Sequence, residues 1–522
     1  MALLWVLVPV AVALFAVFPL TDTDIWWHLA CAREWVTAWT PIREPVVNVH
    51  EFFQHTVAFV YGVGGATLLV VFKAVLWGVV FTLFLWPARQ RSIFKILPII
   101  TLILFVFRFH FEMRPVVFSL VFLGIYWNVL PWLFEKCKNA AKFVGVAVFV
   151  LALQWVWCKC QGLFILGPIL ATIVLGMKLI ESWKKNKEIC TKITMSQIVF
   201  VLLLFAMPFL HQEGLNLFLY PFGLLDRLLG ASPSAAIFAS EIAENRSPFT
   251  LLMAGESIFE SVLMIVLCLV GIVASVVKLR RRDMWVHRKI GEWPRMLWLV
   301  ISAILALIAE RNFVLFLPVF IAAFISSFTK MNFSCFTHLM GVCRLSSLYF
   351  RFAQVPNARL GNGPTSGPAP LALRICRLSS FVLFAFLLGL WVKSLSSYDS
   401  AIAYQRVPVA ATEWMKVHPH QGRLFNDDRA GGYLAFMNPS DSIYIDGRFI
   451  LKTADFFERY LKYSESPQLF LHDADSLNID RVVLPLRFYA RWDKLIITLD
   501  SVEHWRIAYQ DSFFVVVDCK NR

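Results

Sequence analysis

Two carboxylates, an imidazole and two indoles stand together directly after the first apolar run, in Thr21-Asp22-Thr23-Asp24-Ile25-Trp26-Trp27-His28-Leu29. They sit where a helix leaves the lipid, a place at which ionisable groups are costly and commonly functional. Asp22 and Asp24 can hold a divalent cation such as magnesium or manganese through their oxygens. Either carboxylate can also take or orient a proton, and Asp24 can equally cap a helix that begins near Trp26. His28 follows Asp24 by one helical turn, so the two can share a face and a hydrogen bond, structural or catalytic. Trp26 and Trp27 suit either anchoring at headgroup level or stacking against a bound ring or chain.

The elements that must position these residues are apolar helices. Apolar residues make up 58% of the 522 and charged residues 16%, too hydrophobic a balance for a soluble protein of that length. They gather in runs near the ~20 residues that a bilayer crossing needs. The runs are Ala2 to Leu20, Ala66 to Trp86, Ile93 to Phe107, Val116 to Phe134, Phe143 to Trp157, Leu163 to Leu179, Ile198 to Leu210, Ser257 to Val277, Leu297 to Ala309, Phe313 to Phe328 and Ser379 to Trp391. This predicts an α-helical polytopic membrane protein with about eleven transmembrane helices. The first run has no basic leader region and no small-x-small cleavage site before Asp22, and reads as a retained helix.

Lys and Arg resist translocation, and they crowd one set of loops, for example Arg89, Arg91 and Lys95, Lys184, Lys185 and Lys187, and Arg280, Arg281 and Arg282. The alternate loops hold few, among them Arg33, Arg114 and Arg311. The amino terminus is therefore expected in the cytoplasm, with Asp24 and His28 on the outer face of the membrane. The net charge of +14 belongs to the basic loops; with no nucleic-acid motif around it, it points to membrane lipids as the partner and not to nucleic acid. Ten cysteines are scattered without a disulfide framework. Cys158-Lys159-Cys160 has the wrong spacing for a zinc knuckle and reads as a pair of free thiols.

Residues 1–395 form the expected transmembrane domain, with periplasmic loops at 21–65 and 211–256 and a Gly/Pro-rich cytoplasmic linker at 329–377. From 396 to 522 charges become frequent and short β-type runs alternate with helical patterns. This predicts a small C-terminal α/β periplasmic domain of ~120 residues. Its candidate strands are Arg423 to Asn426, Ser442 to Asp446, Arg481 to Leu486, Trp505 to Gln510 and Phe513 to Val517. Ala410 to Val417, Asp455 to Tyr463 and Tyr489 to Leu499 read as helices, and Gly431-Gly432 as a turn or helix entry.

With these marks in place the chain resembles a bacterial multi-pass family related to the GT-C-type glycosyltransferases, which take sugars from polyprenyl-phosphate carriers. The resemblance rests on Asp24-Ile25-Trp26-Trp27-His28-Leu29, on Arg114-Pro115 with Phe118-Ser119, and on Glu310-Arg311-Asn312. In the tail it rests on Gly422-Arg423 through Asn426, Gly431-Gly432-Tyr433 and Asp446-Gly447-Arg448. The chain departs from the pattern at Trp157-Cys158-Lys159-Cys160-Gln161-Gly162, where the family tends to Trp-x-Asn-x-His-Gly. It departs again at His211-Gln212-Glu213-Gly214 for Asn-Pro-x-Gly, and at Glu44-Pro45 for Asp-Pro.

The resemblance implies a GT-C-like fold and transfer of a sugar from a lipid-linked donor to a periplasmic glycan, lipid or protein acceptor. Asp24, or Asp22 beside it, would be the catalytic carboxylate or metal ligand, with His28 assisting. Arg114 and Arg311 would bind the donor phosphate, since a guanidinium fork suits phosphate oxygens; the bland alternative is an ion pair with Glu112 or Glu310. Trp26 and Trp27 would contact substrate. Asn426, Asp427, Asp428, Arg429, Asp446 and Arg448 would rim the site or serve as structural polar groups. Two other classes stay open: a flippase or transporter of lipid-linked saccharides, and a non-catalytic scaffold with an exported binding domain.

Overall fold

A computed structural model describes residues 4–35, 37–42, 47–91, 93, 96–184, 192–229, 236–238, 245–280, 292–328, 369–448, 451–487 and 490–520. The apolar runs fold as helices: α1 (Leu7–Phe15), then α2 (Asp24–Cys31) in the first loop, α3 (Glu51–Leu85), α4 (Leu97–Val106), α5 (Pro115–Glu135), α6 (Ala140–Cys158) and α7 (Leu166–Lys184). They continue as α8 (Lys192–Ala206), α9 (Gly214–Leu229), α10 (Pro248–Met253), α11 (Ile258–Arg280), α12 (Glu292–Ile308), α13 (Phe313–Phe328) and α14 (Ala369–Leu395). Local chemistry sets several starts. Pro115 occupies the first position of α5, where its missing N–H is harmless. Asn139 accepts the Lys142 amide at 3.0 Å at the head of α6, and Ser247 accepts the Thr250 amide at 3.1 Å at the head of α10.

Among the described residues five helical stretches are long and apolar enough to cross a bilayer: Glu51–Ala88, Pro115–Glu135, Ala140–Cys158, Gly162–Trp183 and Ile258–Lys278. Thr194–Leu210 and Gly214–Gly223, bent by 105°, make a sixth if taken as one span. Several of the other expected runs form shorter helices, so the fold is multi-pass and largely helical while the figure of eleven crossings is not reached on helix length alone. Valines and leucines such as Val144, Val148, Leu202, Val273 and Val382 point outward, a surface suited to lipid and not to water.

The second run begins earlier than its apolar pattern suggests. α3 starts at Glu51, and only Gly64 (φ −149°, ψ 22°) and Gly65 (φ 60°, ψ −157°) interrupt it. Gly65 adopts a positive φ that only glycine takes cheaply. Beyond it, Ala66 to Leu85 covers all but the last residue of the expected span Ala66 to Trp86, ~30 Å at 1.5 Å per residue. The expected linker lies outside the described residues up to 368, and its end from Ala369 is the first part of α14. Glu44-Pro45 also lies outside the described residues.

The tail holds α15 (Val409–Val417), β1 (Arg423–Asn426), α16 (Asp428–Met437), α17 (Ala454–Glu465), α18 (Pro467–Ser476), β2 (Ile479–Pro485), α19 (Asp493–Ser501), β3 (Trp505–Gln510) and β4 (Phe514–Cys519). The sheet order is β1-β2-β4-β3, with β1 parallel to β2 and β4 antiparallel to both neighbours. α16 to α18 supply the crossover that a parallel pair requires. Two expectations change here. Ser442 to Asp446 is not a sheet strand: Ile443 bridges Ala38 of the first loop, and the Tyr444 amide donates to Asn426 Oδ1 at 2.8 Å. Gly431-Gly432 lies inside α16, where the missing side chains allow close approach. A Cβ on Gly431 would sit 1.9 Å from the Ile445 carbonyl oxygen, and one on Gly432 2.7 Å from the Trp27 nitrogen.

The tail shares its core with the helices. Val407, Met415, Leu424, Tyr433 and Val516 join the same apolar cluster as Val12, Trp26 and Phe53. The backbone is stitched at Leu20 N to Ala401 O (2.8 Å) and Trp39 N to Ile443 O (3.0 Å). At the far side of the sheet His420 Nδ1 lies 2.6 Å from Asp480 Oδ1, with Asp441 at 3.5 Å. Burial alone would lower the His420 pKa, but Asp441 and Asp480 outweigh it and hold it up to about 9. A raised folded-state pKa stabilises below the unfolded value near 6.5 and loses that contribution as pH rises through 9. Thermal unfolding between pH 6 and pH 10 should therefore show a fall in stability that His420→Gln removes; equal pH slopes in both proteins would disprove this role.

Candidate functional site

Loop 21–24, the segment 108–114 between α4 and α5, and α2 meet at one end of the bundle. Arg114 grips Asp22 through Nε to Oδ2 at 2.8 Å and Nη2 to Oδ1 at 3.1 Å, so its partner is Asp22 and not Glu112. The Arg114 side chain remains 28% exposed while that of Asp22 is 5% exposed. Thr21 Oγ1 donates to Glu112, and Trp77 Nε1 donates to the Glu112 carbonyl at 3.0 Å. Burial pushes the Glu112 carboxyl up to about 6, against the pull of Lys73.

Lys73, one turn before Trp77 on α3, was not singled out from sequence. Its signal was available, an ionisable residue inside an apolar run. The ammonium is buried, donates to the Phe18 carbonyl at 2.9 Å, and has Glu112 and Asp22 as its charged neighbours. Lys73, Arg114, Asp22 and Glu112 thus form a partly buried cluster of two basic and two acidic side chains.

Asp24 is the first residue of α2, whose N-cap position is Thr23. It does not act as the cap; the cap-like contact comes from Asp22 Oδ1, which accepts the Asp24 amide at 3.3 Å. The Asp24 side chain lies against the tail: a Cβ on Gly447 would be 2.3 Å from Asp24 Oδ1 and 3.1 Å from Trp27 Nε1. Gly447 is flanked by Asp446 and Arg448, joined through Nε to both Asp446 oxygens at 3.1 Å and through Nη2 to Oδ2 at 2.6 Å. Arg448 also reaches the Trp35 carbonyl at 2.6 Å and Thr37 Oγ1 at 2.8 Å. Asp446 and Arg448 therefore lie beside Asp24 as a buried ion pair. Asn426, Asp427 and Asp428 serve the tail itself, bonding Ile445 O, Trp492 Nε1 and Tyr460 OH respectively.

His28 is buried and makes no hydrogen bond to Asp24; its ring packs on Trp27, Phe53 and His50. Burial, then His50, Arg448 and Arg114, drives its pKa well below the usual value, so the imidazole is neutral. His50 is likewise lowered to about 4 by burial. Trp26 is fully buried between Tyr433, Phe436 and Tyr61, a packing position with no exposed face, while Trp27 is 7% exposed beside Gly447. Trp26 Nε1, Trp27 Nε1, His28 Nδ1 and Glu112 Oε2 are buried without a hydrogen-bond partner. Such atoms cost roughly 1–3 kcal/mol each and are rare outside ligand sites and strained places.

Arg311 stands beside Glu310, whose Oε1 lies 3.6 Å from His110 Nε2 in the same loop as Arg114. The fold thus brings both arginine-bearing segments to one end of the bundle. The departures from the family pattern have structural partners: Lys159 pairs with Glu51 at 3.0 Å and with Glu213, and Gln161 accepts from Ser119 Oγ at 2.7 Å. Cys158 and Cys160 are free and buried.

The residues present do not fit a divalent cation well. Both Asp22 oxygens are taken by Arg114, and among the described residues no group of three or more His, Cys, Asp or Glu side chains could hold a metal. The arrangement instead offers a carboxylate, an arginine on a buried counter-ion, and unsatisfied indole and imidazole nitrogens.

No family model matches the chain, and no curated protein matches it by sequence. Solved structures do share its fold. The archaeal oligosaccharyltransferase AglB from Archaeoglobus fulgidus, in complex with an inhibitory peptide and a dolichol-phosphate, superposes with a TM-score of 0.55 at 12% identity, over 93% of this chain and 69% of that one. ArnT from Cupriavidus metallidurans, bound to undecaprenyl phosphate, gives 0.50 at 13% identity over 98% of this chain and 96% of that one. Both matches run through the helical bundle and into the tail: the chain shares the fold of these two structures, the fold that its motifs' resemblance to GT-C-type glycosyltransferases led us to expect.

Proposed function

We propose that the protein transfers a sugar from a polyprenyl-phosphate donor to a periplasmic glycan, lipid or protein acceptor, in the bacterial inner membrane. The observation that carries this is the set of unsatisfied buried nitrogens on α2 next to Asp24 and the Arg114–Asp22 pair. Of that set, Trp27 Nε1 and His28 Nδ1 have hydrogen-bonding capacity that nothing among the described residues uses, beside a carboxylate and an arginine.

In this reading the acceptor hydroxyl approaches Asp24, which takes its proton as the oxygen bonds to the anomeric carbon. The bond from that carbon to the phosphate oxygen breaks, and the lipid phosphate leaves with the electron pair. Arg114 and Arg311 neutralise it. Asp22 keeps the Arg114 fork oriented without meeting the sugar. Trp27 lies beside the ligand, His28 contributes its neutral ring, and no step requires a metal.

The test compares cell-envelope glycans by mass spectrometry in the native host with the protein deleted, restored, and restored as Arg114→Gln. Deletion should remove a defined sugar modification, wild type should restore it, and Arg114→Gln should restore it at a rate lower by about 10²-fold, the scale for losing a charge-stabilising donor. An unchanged profile on deletion, or full restoration by Arg114→Gln, would argue for a scaffold instead.

A further inference from the structure

At the end of the bundle away from Asp24, a cavity of about 100 Å³ opens between the close of α3, α11 and α13 and the start of α12. Arg91, Lys278, Arg295 and Glu292 line it, with Trp127 and Phe84 as part of its apolar wall. It lies well over one helical turn from the sugar-transfer site: on α5, Arg114 precedes the first residue and Trp127 stands ~18 Å further on.

Arg295 is in the first turn of α12, the positive end of the helix dipole, where a cation is disfavoured and an anion favoured. Its Nε is buried without a hydrogen-bond partner. Nη2 reaches the Trp127 carbonyl only at 3.5 Å, and the guanidinium carbon sits 5.3 Å over the Trp127 ring. Its charged neighbours are Glu292 and Glu135, and Glu292 is shared with Lys278 at 4.0 Å. Among the described residues three cations from three separate elements therefore line one small space, with Glu292 as the lining carboxylate and the Arg295 Nε proton still without an acceptor.

We infer that this cavity is a second anion site, which takes a phosphate group at the end of the helices where the basic loops emerge. A tetrahedral phosphate accepts from Arg295 Nε and lies between the Lys278 ammonium and the Arg91 guanidinium. The phosphate belongs either to the headgroup of an anionic lipid in the adjoining leaflet or to a soluble phosphate ester.

Native mass spectrometry and thermal unfolding of the full-length protein in detergent distinguish the two, with phosphatidylglycerol, phosphatidylcholine and inorganic phosphate as probes. Wild type should hold phosphatidylglycerol about tenfold more tightly than phosphatidylcholine, and Arg295→Gln and Lys278→Gln should each remove that preference. Arg91→Gln, at the exposed mouth, should weaken it about threefold and serves if Arg295→Gln fails to fold. Stabilisation by inorganic phosphate in wild type only, with no preference between the lipids, assigns the site to a soluble ester. Equal responses of wild type and Arg91→Gln to all three probes overturn the site. Glycan transfer reports on the opposite end of the bundle, so its loss or retention leaves this result independent.

Discussion

Asp24→Asn should abolish sugar transfer, by about 10²- to 10⁴-fold if the carboxylate is the general base, while the protein stays folded. The amide has the shape of the carboxylate and fits the same space beside Gly447, where a Cβ would already lie only 2.3 Å from Oδ1. It cannot take a proton. Asp24→Glu should not rescue activity: the added methylene meets Gly447 and Trp27, and overpacking of that kind costs ~1–3 kcal/mol. Asp22→Asn should behave differently, because Asp22 acts on Arg114 and not on the acceptor. Its loss should weaken donor binding, seen as a raised KM with a smaller change in kcat. Equal loss of kcat in both variants would remove the distinction between base and positioning residue. Transfer by Asp24→Asn within a few-fold of wild type, at an unchanged melting temperature, would end the assignment of Asp24 as base.

The helices were legible because apolar runs and loop charges are local signals, and each run folds as a helix near its expected place. Asp24 and Arg114 were legible as chemistry-bearing types at helix ends. Their partners were not. Asp22 and Arg114 are 92 residues apart, and nothing local says which carboxylate the arginine will choose. Lys73 stands out as an ionisable residue inside an apolar run, but its neighbours Glu112 and Asp22 are distant in sequence and nothing local names them. Gly447 reads as a turn residue, yet it makes room for a side chain from the far end of the chain. α16 was missed because two adjacent glycines lower helix propensity, and tertiary approach to Trp27 and Ile445 overrides that preference. The tail reads as a separate domain because its composition changes near 396; burial of Tyr433 and Met415 in the common core is a property of packing alone.

Arg448→Gln should be the most destabilising single change at the junction of tail and bundle, by about 3–5 kcal/mol, the range for stranding one member of a buried ion pair. The side chains of Arg448 and Asp446 are only 6% and 5% exposed, and the guanidinium ties Asp446 to Trp35 O and Thr37 Oγ1 of the first loop. The variant should expose residues 37–42 to limited proteolysis before any membrane helix is cut. Its pH dependence identifies the cause. In the wild type burial would raise the Asp446 pKa, but Arg448 outweighs it and holds the carboxyl below its usual value of 3.8. A lowered pKa stabilises above 3.8 and loses that contribution only as pH falls through the folded value. Without Arg448 burial dominates, the carboxyl is raised, and the sign reverses: the variant should gain stability as pH falls from 7 toward 4. Asp446→Asn on the Arg448→Gln background should remove that gain, since an amide has no charge to desolvate. Parallel pH profiles for wild type and Arg448→Gln, or a loss under about 1 kcal/mol, would show that the tail is held on α2 by apolar packing around Trp26 and Tyr433 and not by this pair.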